Sequence, residues 1–303
     1  MRYFILLFSF TALSCTDEKT TPEEFSYAME TTDGTISCTF GNLNYRVFYP
    51  VGFDGETHVI HVSRGGNGLN DDRSQLMTYV QGYVSQGYVV IQVDHRFAGS
   101  DVPAIAQYRG EEIKCIAAAV TNGIINYGAF EGVVLNTVQG FTGHSGGCME
   151  GLEAAGTVMN HGNYAVDEIR AVYGISPAGY APDQFGIETS PAGYSAIGET
   201  AVMVIIGEEE KDVNGTGTFM ATDWRLQPFA AMTSDGPRFQ AFIKGANTDH
   251  MDVSGDNASL GQFNLDNSLA FFETYLKGKN KVGQIGTLSL PSGNTVELSS
   301  KGL

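Results

Sequence analysis

The pentapeptide Gly143-His144-Ser145-Gly146-Gly147 fits G-x-S-x-G, a pattern that puts one serine hydroxyl on a sharp turn between a strand and a helix. Glycines suit such a turn, because neighbouring side chains would collide with the strand and helix it joins. The helix that follows places its positive N-terminal end behind the hydroxyl, where negative charge would be stabilised. In a chain with 38 glycines the same pattern also arises as an ordinary Ser-Gly turn, so its partners must decide.

A serine hydroxyl is a poor nucleophile at neutral pH and needs a base, which in turn needs an orienting acid. Six histidines are available. His58 and His61 fall inside a strand, and His95 just follows another. His144 points away from its neighbour's hydroxyl, and His161 lies at the far end of the following helix. His250 is different, because Gly245-Ala246-Asn247-Thr248-Asp249-His250 is a loop after the last central strand. Loops at the C-terminal ends of parallel strands share one edge of the sheet, so His250 is the expected base. The acid is expected after Val204-Ile205-Ile206-Gly207: Glu210 is the first choice and Asp212 the alternative, with Glu208 and Glu209 read as solvated. Backbone N–H groups of Gly146 and Gly66 are the expected oxyanion donors. The glycine-rich segment around Gly66 lacks the lysine and spacing of a phosphate-binding loop.

The elements that must position these residues alternate. Strands are predicted within 25–50, over 57–63 and 87–94, into the turn at Ser145, and over 168–175, 201–207 and 238–245. Helices are predicted over 71–86, with Leu76, Tyr79, Val80, Tyr83 and Val84 on one side, over 109–126, after Ser145, and over 265–277. The tail from about Gly278 is expected to form a hairpin around Pro291-Ser292-Gly293-Asn294. This order predicts an α/β fold with a mostly parallel central sheet and helices on both faces.

The chain resembles the α/β-hydrolase superfamily from Tyr45 to Gly278. The resemblance rests on Ser63-Arg64-Gly65-Gly66-Asn67-Gly68, Gly87 to Arg96, Gly143 to Gly147, Gly207-Glu208-Glu209-Glu210 and Gly245 to His250. It is strongest to esterases like dienelactone hydrolase, chlorophyllase and platelet-activating-factor acetylhydrolase. It implies the chain order serine, acid, histidine. Two positions depart from the family pattern: Arg64 stands where a histidine is usual, and Glu210 where an aspartate is usual.

At the N-terminus, Arg2, a short apolar run from Tyr3 to Phe10 and small residues before Cys15 make an export signal too short to span a bilayer. Residues 1–14 are read as the signal peptide, 15–26 as a lipidated Cys15 with its tether, and 27–303 as one hydrolase domain. The expected location is the outer membrane or surface of a bacterial cell, with periplasmic or secreted protein as the alternative. The net charge of −17 argues against nucleic acid and anionic lipid as partners, leaving the lipid anchor as the membrane contact. Of the remaining cysteines, Cys115 and Cys148 are expected either to bridge or to stay as buried thiols. No cysteine or histidine spacing suits zinc, and neither metal nor cofactor is expected.

The expected activity is hydrolysis of small-molecule or glycan-linked carboxylic esters through an acyl-enzyme. The alternatives are a serine peptidase or amidase on the same fold, and a surface lipoprotein that binds a ligand without turnover. Tyr108, Phe141, Met149, Tyr180 and Trp224 either line a pocket or pack in the core.

Overall fold

Strand residues that alternate between two helical layers must be apolar on both sides, and the sequence Ala-Val-Met-Val-Ile-Ile-Gly over Ala201–Gly207 is buried throughout. In a computed structural model of the chain, the described residues are 27–66, 76–96, 102–128, 134–180, 189–210, 222–288, 290 and 293–303. The expected signal and tether with Cys15, the alternative acid Asp212, and Asn67 and Gly68 lie outside them.

In chain order the elements are β1 (Met29–Cys38), β2 (Gly41–Pro50), β3 (Glu56–Thr57), β4 (Val59–Ser63), α1 (Met77–Ser85), β5 (Val89–Val93) and α2 (Val102–Thr121). Then come β6 (Val134–Leu135), β7 (Gln139–His144), α3 (Gly146–Ala154), β8 (Val158–Met159), β9 (Gly162–Asn163), β10 (Ile169–Ile175) and α4 (Pro191–Ser195). The remainder is β11 (Ala201–Gly207), α5 (Thr222–Ala231), β12 (Arg238–Lys244), α6 (Ala258–Tyr275) and β13 (Thr295–Lys301). Nine strands form one sheet in the order β1-β2-β5-β4-β7-β10-β11-β12-β13. The six strands from β5 to β12 are parallel. β1 pairs antiparallel with β2, and β2 with β5, so β1 runs in the same sense as the parallel strands.

The two sheet faces build two cores. Along β11, Val202, Val204 and Ile206 join Ile113, Ile116, Leu152 and Trp224 on one face. Met203 and Ile205 join Tyr79, Tyr83, Phe263 and Phe271 on the other. The predicted buried face of α1 is realised by Tyr79, Val80, Tyr83 and Val84.

Two helix expectations change. The helix predicted over 109–126 begins earlier and ends at Thr121, where Gly123 turns the chain at φ 66°. The last helix begins at Ala258, because Asn257 caps it by accepting from Ser259 N–H and Leu260 N–H. Pro291 and Ser292 of the expected tail hairpin lie outside the described residues, and among those described β13 pairs antiparallel with β12, Thr295 opposite Lys244, and forms the sheet's second edge.

The cysteine expectation is also corrected. Cys38, at the end of β1, is bridged to Cys115 on α2, with Cα atoms 6.0 Å apart. Cys148 is a buried free thiol. It faces the sheet, where a Cβ on Gly174 of β10 would stand 2.5 Å from its sulfur, so it cannot reach outward to α2.

Candidate active site

Ser145 stands between β7 and α3 with φ 55° and ψ −117°, a backbone region that non-glycine residues avoid. The surroundings enforce it. A Cβ on Gly143 would run into the Gly147 carbonyl, and one on Gly147 into the Ser63 carbonyl. Ser145 N–H donates to Ile175 O at 2.9 Å, tying the turn to β10. Gly146 opens α3, so its N–H is among those with no partner inside the helix.

His144 supports the histidine loop. Its Nε2–H donates to the backbone carbonyl of His250 at 3.0 Å, and the two rings lie 4.4 Å apart. Burial, then the charges of His250 and Arg225, holds His144 well below the usual histidine pKa, so it is a neutral donor.

The preferred candidate acid, Glu210, lies in the turn after β11. Glu210 Oε2 lies 3.3 Å from His250 Nδ1, and Oε1 accepts the Gly207 N–H at 2.8 Å. Arg225 of α5 places Nε 2.7 Å from the same Oε2. Burial alone would raise the Glu210 pKa. The Arg225 charge and the His250 hydrogen bond reverse that and hold it below the usual carboxylate value. Arg225 is itself anchored, donating to Ser176 O at 2.7 Å and Pro177 O at 3.1 Å.

Glu208 and Glu209, read as solvated, hold the histidine loop as well. Glu208 accepts from Gly245 N–H and Glu209 from Asn247 N–H, each at 2.9 Å. Their outer surfaces are exposed, but two carboxylates clasp the backbone that delivers His250. Downstream, Asp249 Oδ1 accepts from Met251 N–H at 2.8 Å and Asp252 N–H at 2.9 Å, turning the chain directly after the histidine.

The other histidines stay in the framework. His58 Nδ1 meets Val138 O at 2.9 Å, and His61 Nε2 meets Gln139 Oε1 at 2.6 Å. His95 sits between Glu112 at 2.8 Å and the Ser63 hydroxyl at 3.1 Å, and His161 lies 3.8 Å from Glu153. Phe141, Met149 and Trp224 are core residues. Tyr180 is half-buried beside them, and Tyr108 packs near Arg96 at 4.9 Å. Among the described residues no cluster of His, Cys, Asp or Glu could hold a metal ion. None of their helices is long and apolar enough to cross a membrane.

No protein-family model and no curated protein matches the chain. Solved structures do. A putative dienelactone hydrolase from Klebsiella pneumoniae subsp. pneumoniae MGH 78578 is 13% identical, with TM-score 0.56 over 82% of this chain and all of that one (100%). A cold-adapted esterase from an Arctic intertidal metagenomic library, solved with bound PEG, is 14% identical, with TM-score 0.53 over 78% of this chain and 92% of that one. The fold is that of the α/β-hydrolases. In the α/β-hydrolase order, the turns after β7, β11 and β12 bring Ser145, Glu210 and His250 to one sheet edge. Arg225 was not picked out from the sequence. Its signal was a charged residue within Trp224-Arg225-Leu226-Gln227-Pro228-Phe229, an arginine that has to be buried for its neighbours to pack.

Proposed function

We propose that the protein is a serine hydrolase of carboxylic esters. The reading is carried by Glu210 Oε2 facing His250 Nδ1 at 3.3 Å, on the same sheet edge as the strained turn at Ser145. Ser145 Oγ attacks the ester carbonyl, and Nε2 of His250 takes its proton. Glu210, ionised by its pairing with Arg225, holds Nδ1–H and stabilises the imidazolium. N–H groups of Gly146 and Gly66 receive the tetrahedral oxyanion. His250 then protonates the leaving alcohol, and water releases the acyl group from Ser145. Glu210 fills the acid's place in this scheme, with Asp212 as the alternative. The substrate class is a small-molecule or glycan-linked ester of short to moderate acyl length.

The same reading includes export, with Cys15 as the lipidated first residue of the mature chain. A Cys38–Cys115 bridge supports it, since such bonds persist in oxidising compartments. A fluorophosphonate probe is expected to label the native protein and not Ser145→Ala. The substitution is expected to lower kcat on p-nitrophenyl acetate about 10⁴- to 10⁶-fold. Labelling of the alanine variant would refute the assignment of the nucleophile.

A further inference from the structure

The three consecutive carbonyls after β4 are each held by a guanidinium. Arg109 of α2 donates from Nη1 to Arg64 O at 2.8 Å and from Nη2 to Gly66 O at 2.9 Å. Between them Arg64 folds back on its own loop, donating from Nη1 to Gly65 O at 2.8 Å. Arg109 is only 3% exposed, and it also reaches Ser63 Oγ at 3.3 Å and Glu150 Oε2 at 3.6 Å. This anchors the clamp below the sheet edge.

The loop lies against the nucleophile. A Cβ on Gly65 would stand 2.5 Å from Ser145 Cβ and 3.2 Å from Ser145 Oγ. A Cβ on Gly146 would stand 3.7 Å from Arg109 Nη1 and 3.8 Å from Gly66 O. Both expected oxyanion donors therefore border one guanidinium. In a trans peptide unit the C=O and the N–H point opposite ways. Drawing Gly65 O toward Arg64 fixes the direction of the Gly66 N–H, and drawing Arg64 O toward Arg109 fixes that of the Gly65 N–H. The φ of +80° at Gly66 lets the backbone make this turn. A carbonyl left facing the serine would repel a developing oxyanion, and here all three are turned to cations.

We propose that Arg64 and Arg109 are positioning residues of the oxyanion pocket, orienting the Gly66 N–H by fixing the loop's carbonyls and adding positive charge behind it. The inference rests on the esterase reading. It also gives the departure from the family pattern a purpose: the guanidinium at 64 reaches its neighbour's carbonyl with a charged donor.

The test uses the full chain with p-nitrophenyl acetate and an aryl boronic acid, which forms a tetrahedral anion on an active serine. Arg64 is only half-buried, so Arg64→Ala is expected to keep the wild-type circular dichroism and melting temperature. Its kcat is expected to fall about 10- to 100-fold with KM within about threefold, and the boronate Ki to weaken in step. Arg64→Lys, which keeps the charge, is expected to recover part of the loss. Arg109→Lys is expected to show the same split of kcat from KM and is the second variant if Arg64→Ala does not fold. If wild type turns over the ester and kcat is unchanged in the variants, or KM carries the loss with boronate Ki unmoved, the proposal is overturned alone. If wild type neither hydrolyses esters nor binds the boronate, the esterase reading falls first and takes the proposal with it.

Discussion

Arg225 and Glu210 form a buried ion pair, Nε to Oε2 at 2.7 Å, and that oxygen is the one facing His250 at 3.3 Å. One carboxylate oxygen of Glu210, the proposed acid, is therefore shared between the proposed base His250 and a permanent cation. A fully buried carboxylate would favour its neutral form, and a neutral Glu210 could not stabilise an imidazolium. The arginine keeps the charge in place.

Replacing Arg225 with Met is expected to move the acid limb of kcat/KM to higher pH. Without the cation, burial dominates and Glu210 becomes protonated at pH values where it is now ionised. The sign for stability agrees. Glu210 has a lowered folded pKa, so its contribution is present above the unfolded value and is lost as pH falls through the folded one. In the variant the buried carboxylate loses its cation and keeps only the His250 and Gly207 contacts, at an expected cost of about 3–5 kcal/mol near neutral pH. Urea unfolding and a pH–rate profile check both, and an acid limb that stays where it was would show that Arg225 is only a packing residue.

Acid should unfold the protein partly through His61. Burial lowers its pKa to about 4 from 6.5. A histidine kept neutral in the fold gives stability that is intact above its unfolded pKa and drains away as pH falls from there toward the folded value. Between pH 6.5 and 4 the loss from this residue is about 3 kcal/mol. His61→Asn cannot titrate, so its stability should fall less steeply over that interval, whatever its value at pH 7. Equal slopes for the two proteins in urea titrations would contradict the burial argument.

The Cys38–Cys115 bridge closes a stretch of 77 residues. Loop closure of that length corresponds to about 4 kcal/mol, so dithiothreitol or Cys38→Ser should lower the urea midpoint by that equivalent. Cys148 is fully buried, and burial pushes its thiol pKa up, so Ellman's reagent should reach it only in denaturant. In denaturant without reductant the mature protein should then show one thiol, Cys148, and finding three, with Cys38 and Cys115 also free, would disprove the bridge.

Much of this site was legible because it obeys local rules. The turn at Ser145 is marked by glycines that sterics demand at 143 and 147. Glu210 and His250 follow strands whose apolar runs are unmistakable. The arginines were not legible, since Arg109 and Arg225 act by burial and contact partners distant in sequence, which no local period records. The disulfide failed for a related reason. Cys115 and Cys148 sit on neighbouring helices, yet one thiol faces outward to the edge hairpin and the other inward to β10. The edge strand β13 was not assigned to the sheet because a strand that pairs with β12 carries the same alternation as one in a tail hairpin.

The direction of β1 bears on how such a protein is mounted. Because β1 runs with the parallel strands, Met29 enters at the end of the sheet away from Ser145, Glu210 and His250. On the proposed reading of a lipidated Cys15, the segment that carries the anchor joins the domain at the end opposite those three residues. An anchor joined there leaves the edge with Ser145, Glu210 and His250 free of the attachment.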